Sequence, residues 1–297
     1  MVERINTVNN YLKEHFGKKT VKLSIDAGFT CPNRDGSKGT GGCVFCSSTG
    51  SGDTATDIED QMRLLSDKWP NANYLAYFQN HSNTYAPAEE LRKKYYEALA
   101  HPDISGIVIA TRPDCFTPEI LDLLEEINNE HFMWIEMGLQ TIHDKTMKDM
   151  NLCYNLKDYE EAMNQLKKRN IKVVTHLILG LPGETREMME ESLKYVCNGS
   201  TWGIKLHLLN VVKGSPMEKI YPGYQSFENI DDYINLVTDF IEMIPKDIVV
   251  HRMTADVPRK LLLSPPWSYK KRTILNGINK NLRERNTYQG YNSCLEK

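Results

Sequence analysis

The chain has 297 residues, of which 40% are hydrophobic and 25% are charged, and its formal net charge is −3. These values are ordinary for a globular protein, and the slight negative charge argues against indiscriminate binding to nucleic acid. No apolar run is long enough to span a bilayer and the N-terminus lacks an apolar signal core, so we predict a cytoplasmic protein with no membrane contact.

Short apolar segments alternate with amphipathic segments along most of the sequence. Strands are predicted at residues 21–25, 74–79, 106–110, 132–139, 173–179, 203–211 and 248–253. Helices are predicted at residues 2–16, 57–68, 88–100, 118–129, 156–169, 184–197 and 231–244. Several strand segments are apolar almost throughout, as in a parallel sheet covered on both faces. The alternation predicts right-handed βαβ units that form a full or partial α/β barrel or an open doubly wound sheet.

The alternation stops after residue 253. We therefore predict a core at 1–253 with an N-terminal helix, and a C-terminal extension at 254–297 packed on that core. From residue 265 onward the cations of the extension are Lys270, Lys271, Arg272, Lys280, Arg283, Arg285 and Lys297. The N-terminal segment is also basic, and each basic end is either a solvated helix face or a surface that binds phosphate groups.

A glycine-rich loop follows the first predicted strand and carries three cysteines, Cys31, Cys43 and Cys46. In either architecture, ligands bind at the carboxyl ends of the strands. Structural zinc sites usually have four ligands, and iron–sulfur clusters are usually held by four thiolates. Three thiolates leave one iron of a [4Fe–4S] cluster open to a small molecule, whereas zinc needs a fourth ligand such as His81.

The remaining cysteines, Cys115, Cys153, Cys197 and Cys294, occur singly. Seven cysteines are an odd number for a disulfide framework, and thiols in a reducing compartment stay free or bind metals. We therefore predict a single cluster and interpret these four cysteines as structural or incidental.

Segments spread over nearly the whole chain resemble one family. They are FTCPNRDG, GGCVFCS, YFQNHSNTYAP, IATRPDC, WIEMGLQTIHDKT, HLILGLPGE, GIKLHLLNVVKGSP and ADVPRKLLLSPPWSYKK. Together with the cysteine loop they resemble the radical S-adenosylmethionine (SAM) enzymes, in the branch related to the Elongator catalytic subunit and, within it, the YtqA/YhcC-type proteins. The eleven residues between Cys31 and Cys43 depart from the shorter gap of the usual family motif.

The resemblance implies an α/β fold, a partial (β/α)6 TIM-like barrel with a C-terminal extension. It also implies two cofactors, a [4Fe–4S] cluster on the three cysteines and S-adenosyl-L-methionine. Reductive cleavage of SAM then gives a 5′-deoxyadenosyl radical, which abstracts hydrogen from a substrate carbon. A flavodoxin or ferredoxin is the expected electron donor.

The resemblance gives cofactor-binding roles to two segments. In WIEMGLQT it implies that Glu136 accepts hydrogen bonds from the SAM ribose hydroxyls and that Gln140 assists. A carboxylate inside an apolar strand needs a partner, so a buried structural ion pair is the alternative for Glu136. In HLILGLPGE it implies an adenine-contacting turn with Ile178, Gly180 and Glu184, although the end of this segment also suits an ordinary helix start.

The Gly-Gly-Glu segment with which the family holds the SAM amino group is not visible in this sequence. The second strand runs into YFQNHSNTY instead, so Gln79, Asn83 and Thr84 are the substitutes that we predict. The residues that hold the amino group are thus the least defined part of the predicted site.

Three further residues are candidate catalytic groups. Arg112 in IATRPDC can bind a carboxylate of SAM or of the substrate, because a guanidinium group matches a carboxylate bidentately. Lys205 and His207 alternate along the sixth strand, so both either face the active-site pocket or fill the barrel interior.

The resemblance also implies a substrate, since the Elongator-like relatives act on the wobble uridine of tRNA. The predicted reaction converts 5-carboxymethylaminomethyluridine to 5-aminomethyluridine, with Arg112 or Lys205 holding the carboxylate. Residues 270–272 and 280–285 would contact the anticodon stem, and Trp267 or Tyr269 would stack on a flipped base. Two alternatives stay open: a radical SAM enzyme with a small-molecule substrate, and a non-enzymatic RNA-binding protein stabilised by zinc.

Overall fold

The computed structural model describes residues 3–47, 50 and 54–293, and its main feature is a parallel sheet of seven strands. In sheet order these are β1 (Thr20–Ile25), β2 (Asn73–Phe78), β3 (Ile104–Thr111), β4 (Met133–Gln140), β5 (Val173–Leu179), β6 (Gly203–Leu208) and β8 (Val249–Arg252). Two short strands, β7 (Val211–Val212) and β9 (Leu262–Ser264), form a separate antiparallel pair.

The sheet curls into a half-barrel. Each strand pairs in parallel with the next, and β6 pairs with β8 because the short β7 belongs to the separate pair. The carboxyl ends of all seven strands therefore lie along one rim of the half-barrel. The predicted partial barrel is confirmed, and residues 249–252 supply its seventh strand.

Helices connect the strands within the described part of the chain. They are α1 (Val8–Phe16), α2 (Ile58–Ser66), α3 (Ala88–Leu99), α4 (Pro118–Glu130), α5 (Asp144–Asp149), α6 (Leu156–Lys168), α7 (Arg186–Asn198), α8 (Pro216–Ile220), α9 (Ile230–Met243) and α10 (Lys271–Glu284). Helix α4 illustrates the local cause: Thr117 caps its first turn by accepting from the Ile120 amide. Pro118 opens the helix, and Leu124 and Ile127 lie on its buried stripe.

Two apolar layers lie on opposite faces of the sheet. The larger, outer layer packs strand residues such as Ile107 and Ile135 against the covering helices. The smaller layer lies on the concave face, where Leu75 and Trp134 meet Leu12 of α1. Helix α1 therefore closes the bottom of the half-barrel, and the rim at the carboxyl ends stays open.

The predicted strand at 203–211 is shorter than expected. It ends at Leu208, and Val211 pairs instead with Ser264 of β9. The short helices α5 and α8 were not predicted, because neither is long enough to show a helical period. Helix α10 was not predicted either, although its buried residues Ile274, Ile278 and Leu282 recur at helical spacing.

Two helices begin at least two residues later than predicted because a threonine caps each of them. Helix α1 starts at Val8, since Thr7 is extended and its side chain accepts from the Asn10 amide. Helix α7 starts at Arg186, since Thr185 caps it in the same way. Residue 2, where the first helix was predicted to begin, lies outside the described residues.

The C-terminal extension contributes a helix to the main core. Ile274, Ile278 and Leu282 of α10 are buried against α9. Gly277 allows a close approach of α10 to α9, since a Cβ there would lie 2.6 Å from the side chain of Ile234.

The division of the chain at residue 253 stays a prediction, and Cys294 and Lys297 lie outside the described residues. In the part of the chain that the structure describes, no helix is long and apolar enough to cross a membrane.

Candidate cofactor site and active-site cavity

An open cavity of about 1440 Å³, including its mouth, lies at the carboxyl-end rim of the half-barrel. Its wall consists of the cysteine loop, concave-face residues from β2 to β8, and residues 255–257 after β8. The ionisable side chains that line it include Arg34, Tyr77, His81, Arg112, Glu136, His176, Lys205, His207, Arg252 and Asp256.

Cys31, Cys43 and Cys46 all line this cavity and lie close enough to influence one another electrostatically. Cys43 and Cys46 form a tight turn, in which the Cys46 amide donates to the Cys43 carbonyl at 3.0 Å. Burial raises the pKa of the Cys31 thiol, whereas a hydrogen bond from the Cys43 thiol lowers the pKa of Cys46. The positive charges of Arg112 and Arg34 favour the thiolate forms of Cys31 and Cys46 respectively.

The donor set suits an iron–sulfur cluster. Among the described residues, no three His, Cys, Asp or Glu side chains, the three cysteines included, lie close enough together to bind a single metal ion. In a [4Fe–4S] cluster each thiolate binds a different iron atom, and its ligands surround a larger body. Three thiols around one cavity, with cationic neighbours, fit such a cluster.

Asn33, a fully buried residue, holds the cysteine loop in place. Its Nδ2 donates to the Asn151 carbonyl and lies 3.7 Å from Cys43 Sγ, and its Oδ1 accepts from Cys153 Sγ at 3.1 Å. Asn151 Nδ2 in turn donates to the Gly42 carbonyl at 2.9 Å. The segment after α5 therefore supports the loop, and Cys153 belongs to this support.

The guanidinium group of Arg112 is already hydrogen-bonded to a carboxylate of the protein itself. Its Nε and Nη2 donate to the two oxygens of Asp114 at 2.9 and 2.8 Å, and its Nη1 donates to the Leu152 carbonyl at 2.8 Å. Lys38 also pairs with Asp114, at 2.8 Å. The structure therefore does not support Arg112 as the residue that binds a carboxylate of SAM or substrate; it places positive charge beside Cys31.

Glu136 is fully buried at the centre of a polar network on the concave face. Its Oε1 accepts from Lys22 at 2.8 Å and from the Trp134 indole at 3.3 Å. Its Oε2 accepts from Lys205 and lies 3.3 Å from His176 Nε2. Burial alone would raise the pKa of Glu136, but the two lysine charges outweigh it and hold that pKa well below its usual range. The structure thus favours the ion-pair alternative for Glu136 over ribose binding.

Two histidines extend this network into the cavity. Burial and the charge of Lys205 lower the pKa of His176 to about 4, and its ring lies 5.1 Å from that of His207. Burial lowers the pKa of His207 well below its usual range. Both imidazoles are therefore neutral at pH 7. His207 Nε2 is buried and has no hydrogen-bond partner among the described residues.

Seven of the predicted cofactor and catalytic residues line the cavity. They are Gln79, Arg112, Glu136, Gln140, Ile178, Lys205 and His207. Lys205 and His207 face the cavity, as one of the two interpretations of their alternation expects. Gln140 adopts a left-handed conformation (φ 71°) beside a register shift between β4 and β5.

Two of the predicted SAM-binding residues are buried in the turn after β2 and do not line the cavity. Asn83 Nδ2 donates to the Ala110 carbonyl at 2.8 Å. The hydroxyl of Thr84 pairs with that of Thr111 at 2.6 Å. Both side chains therefore join β2 to β3, which leaves Gln79 as the one member of the predicted trio at the cavity.

Gly180 and Glu184 likewise lie away from the cavity lining. Gly180 has a φ of 85°, and a Cβ there would lie 2.6 Å from that of Ser226, so close packing explains this glycine. Glu184 accepts from the Thr141 hydroxyl, and burial raises its pKa. Of the predicted adenine turn, Ile178 alone lines the cavity.

Tyr77, His176 and Arg252 line the cavity and escaped prediction, as did Lys22, which pairs with Glu136. A signal existed for Tyr77 and His176, since each is a polar side chain inside a mostly apolar strand. Arg252 ends the short strand β8, where four residues show no clear alternation.

Comparison with known proteins assigns this fold and cysteine loop to one family. The model of the Radical SAM superfamily matches residues 34–196, and that of the Radical_SAM C-terminal domain matches residues 201–284. The uncharacterized protein YtqA of Bacillus subtilis is 45% identical over 97% of this chain and 92% of its own length. Protein YhcC of Escherichia coli is 36% identical over 94% of this chain and 93% of its own length.

More distant similarity extends to Elongator proteins. Mouse Elongator complex protein 3 is 28% identical over 57% of this chain and 32% of its own length. The solved structure of the archaeal Methanocaldococcus infernus Elp3 with an N-terminal deletion has a TM-score of 0.64 at 16% identity, covering 77% of this chain and 58% of that one. This structural likeness shows the shared fold alone.

The half-barrel and its three-cysteine cavity are those of a radical SAM enzyme, and the chain belongs to the radical SAM superfamily. Within the superfamily it is a protein of the YtqA/YhcC type. The family uses a [4Fe–4S] cluster and SAM, so the predicted cofactors are confirmed and the zinc alternative is not carried further. The superfamily match begins after Cys31, so this cysteine is proposed as the third ligand from its place in the cavity.

Proposed function

We propose that this enzyme removes the carboxymethyl group from the wobble uridine side chain of tRNA, converting 5-carboxymethylaminomethyluridine to 5-aminomethyluridine. The observation that carries the proposal is that Asp256, which lines the cavity, pairs at 2.9 Å with Lys271 of the basic C-terminal segment. Residues 255–257 line the cavity mouth, and four exposed cations follow within the next residues of the chain: Arg259, Lys260, Lys270 and Arg272. An RNA bound to this surface can place one nucleotide in the cavity.

The cations of the extension differ in what they contact. Lys270 and Arg272 are exposed and make no ion pair with another described residue. Arg285 instead pairs with Asp239 and Glu242 of α9, where it joins the last two helices. The segment at 270–272 therefore supports phosphate binding better than the segment at 280–285.

The two aromatic residues proposed for base stacking also differ. Tyr269 is 44% exposed, and the guanidinium carbon of Arg259 lies 4.4 Å from its ring centroid. Trp267 packs beside Tyr233, with 6.0 Å between ring centroids, at the margin of the core. Tyr269 with Arg259 is thus the better stacking surface for a base.

When bound and reduced, the cluster and SAM supply a carbon radical that removes a hydrogen atom from the substrate. The proposed position is the methylene carbon between the amine and the carboxylate. Loss of one electron to a one-electron acceptor, and of one proton, converts this carbon to an imine. Water then adds and the C–N bond breaks, which leaves the aminomethyl group and releases a two-carbon aldehyde acid. His207, a neutral imidazole that lines the cavity, is the proposed proton acceptor.

The proposal includes two finer points. A flavodoxin or ferredoxin is the proposed electron donor, because the cluster must be reduced before each cleavage of SAM. A tRNA substrate also implies a cytoplasmic location.

The test is an anaerobic assay with SAM, a reductant and tRNA that carries 5-carboxymethylaminomethyluridine. Nucleoside mass spectrometry should show 5-aminomethyluridine with the reconstituted enzyme and none with Cys46→Ala. Formation of 5′-deoxyadenosine with unchanged nucleosides would contradict the tRNA proposal and favour a small-molecule substrate.

A further inference from the structure

Arg252, at the end of β8, is a cavity residue with no role in the chemistry above. Its side chain is 26% exposed, and its nearest carboxylate among the described residues is that of Asp256, at 3.8 Å. Charge-assisted hydrogen bonds are usually about 2.7–2.9 Å long, so this contact does not fill the guanidinium group. Asp256 is itself held by Lys271 at 2.9 Å.

A β-bulge directs Arg252 into the cavity. Ile204 pairs with Val250, and the next residue, Lys205, pairs with Arg252, so His251 is the extra residue. In a regular strand, neighbouring side chains point to opposite faces. Because of the bulge, His251 packs against Trp134 on the concave side and Arg252 also lines the cavity. Bulges often redirect a side chain beside an active site in this way.

The bulge leaves uncompensated positive charge on this side of the cavity. Arg252 and Lys205 are register partners on adjacent strands, and like charges directly opposite each other are destabilising. The buried carboxylate of Glu136 is shared between Lys205 and Lys22. The histidines here are neutral, so they add no charge to this group of cations.

This cationic group is distinct from the one at the cysteine loop. The charges of Arg34 and Arg112 favour the thiolate forms of Cys46 and Cys31 in that loop. The charge of Arg252 favours the deprotonated forms of Lys205, His207 and Tyr77. An anion drawn to Arg252 therefore sits beside the proposed proton acceptor.

We propose that Arg252 binds the carboxylate of the substrate side chain, with Lys205 beside it, and thereby selects an acidic substituent on the base. This inference rests on the proposed function. Arg252 takes the carboxylate-binding role that was predicted for Arg112, because the guanidinium group of Arg112 is already bound to Asp114. The inference also explains why a guanidinium group lies at the cavity without a close carboxylate partner.

The test compares three anticodon stem-loops that differ at the wobble uridine: the carboxymethylaminomethyl acid, its neutral methyl ester, and the aminomethyl product. Dissociation constants are measured without reductant, on cluster-loaded wild-type enzyme, Arg252→Gln, Arg252→Lys and the exposed control Arg63→Gln. Wild type and Arg63→Gln should prefer the acid to the ester by about tenfold to a hundredfold, the usual range for hydrogen bonds to a charged group. Arg252→Gln should lose that preference. Arg252→Lys should keep only part of it, because an ammonium group carries the charge but cannot form the two parallel hydrogen bonds of a guanidinium group.

Two results would overturn the inference. One is an acid preference that survives in Arg252→Gln; the other is equal weakening of all three RNAs, which would mean that Arg252 contacts phosphate. Turnover by the wild type is followed separately. An acid preference that depends on Arg252, without any conversion to the amine, would support the binding role and defeat the proposed function instead.

Discussion

Lys205 on β6 donates to Glu136 on β4 across the intervening strand β5, and the two residues are 2% and 0% exposed. The pair ties three strands of the half-barrel together beneath the cavity. A buried ion pair destabilises strongly when one partner is removed, because the remaining charge stays in a medium of low dielectric constant.

Lys205→Met should therefore lower the free energy of unfolding, by at most about 3–5 kcal/mol because Lys22 still pairs with Glu136. The double variant Glu136→Gln/Lys205→Met should lose less than the single variant, because it removes the buried carboxylate that Lys22 alone would otherwise have to neutralise. Urea denaturation of the protein without its cluster measures both. The exposed pair of Lys145 with Asp149 is the control, and Lys145→Met should leave stability almost unchanged. Equal losses for the single and double variants would show that Glu136 and Lys205 do not depend on each other.

Stability should fall with pH between about 6.5 and 4 because of His176. Its pKa drops from 6.5 to about 4 on folding, so in this window the unfolded chain binds a proton that the folded chain does not. Each such proton lowers stability by up to about 1.4 kcal/mol for each pH unit of acidification. His176→Gln should make this part of the curve less steep, measured as melting temperature against pH without the cluster; His207 and His251, whose pKa values burial also lowers, still contribute to the slope. Parallel curves for the variant and the wild type would contradict this assignment.

The contact of Asn33 Nδ2 with Cys43 Sγ should tune the cluster. Hydrogen bonds to cluster sulfurs stabilise the reduced, more negative state. Asn33→Ala should therefore make the reduction potential more negative by about 20–65 mV, the equivalent of the ~0.5–1.5 kcal/mol of one hydrogen bond. A potentiometric titration followed by electron paramagnetic resonance measures the shift. The exposed Asn129→Ala is the control, and a potential unchanged in Asn33→Ala would rule out this contribution.

The basic segment next to the cavity mouth should dominate the salt dependence of RNA binding. Removing two phosphate contacts with Lys270→Gln/Arg272→Gln should reduce the slope of log K against log salt by roughly 1.4–1.8. Arg285→Gln should change the slope little, since Arg285 is paired with α9, and should lower stability instead. The contrary result, a slope reduced by Arg285→Gln alone, would move the RNA-binding surface to the end of α10.

The sequence predicts most of the fold because strands and helices of ordinary length have their own periodicity. The strand at 173–179 has the predicted limits, and the cap of α4 by Thr117 is as expected. Features set by tertiary contact were not visible. The bulge that places Arg252 in the cavity depends on the pairing of β8 with β6, which no local pattern encodes.

The candidate site was predictable in outline and less so in its chemistry. The three cysteines and the polar residues within apolar strands identify the cavity from the sequence. Which charges are already neutralised depends on partners distant in the chain, such as Lys22 for Glu136. Asp114 lies only two residues from Arg112, so this pairing had a local signal, but the fold alone determines that both side chains are buried together.

The most direct test of the central claim follows one hydrogen atom. An anticodon stem-loop is prepared with deuterium on the methylene carbon between the amine and the carboxylate, and 5′-deoxyadenosine from a single anaerobic turnover is analysed by mass spectrometry. Transfer of one deuterium to 5′-deoxyadenosine is expected, together with formation of the aminomethyl product. Unlabelled 5′-deoxyadenosine formed alongside unchanged RNA would contradict it.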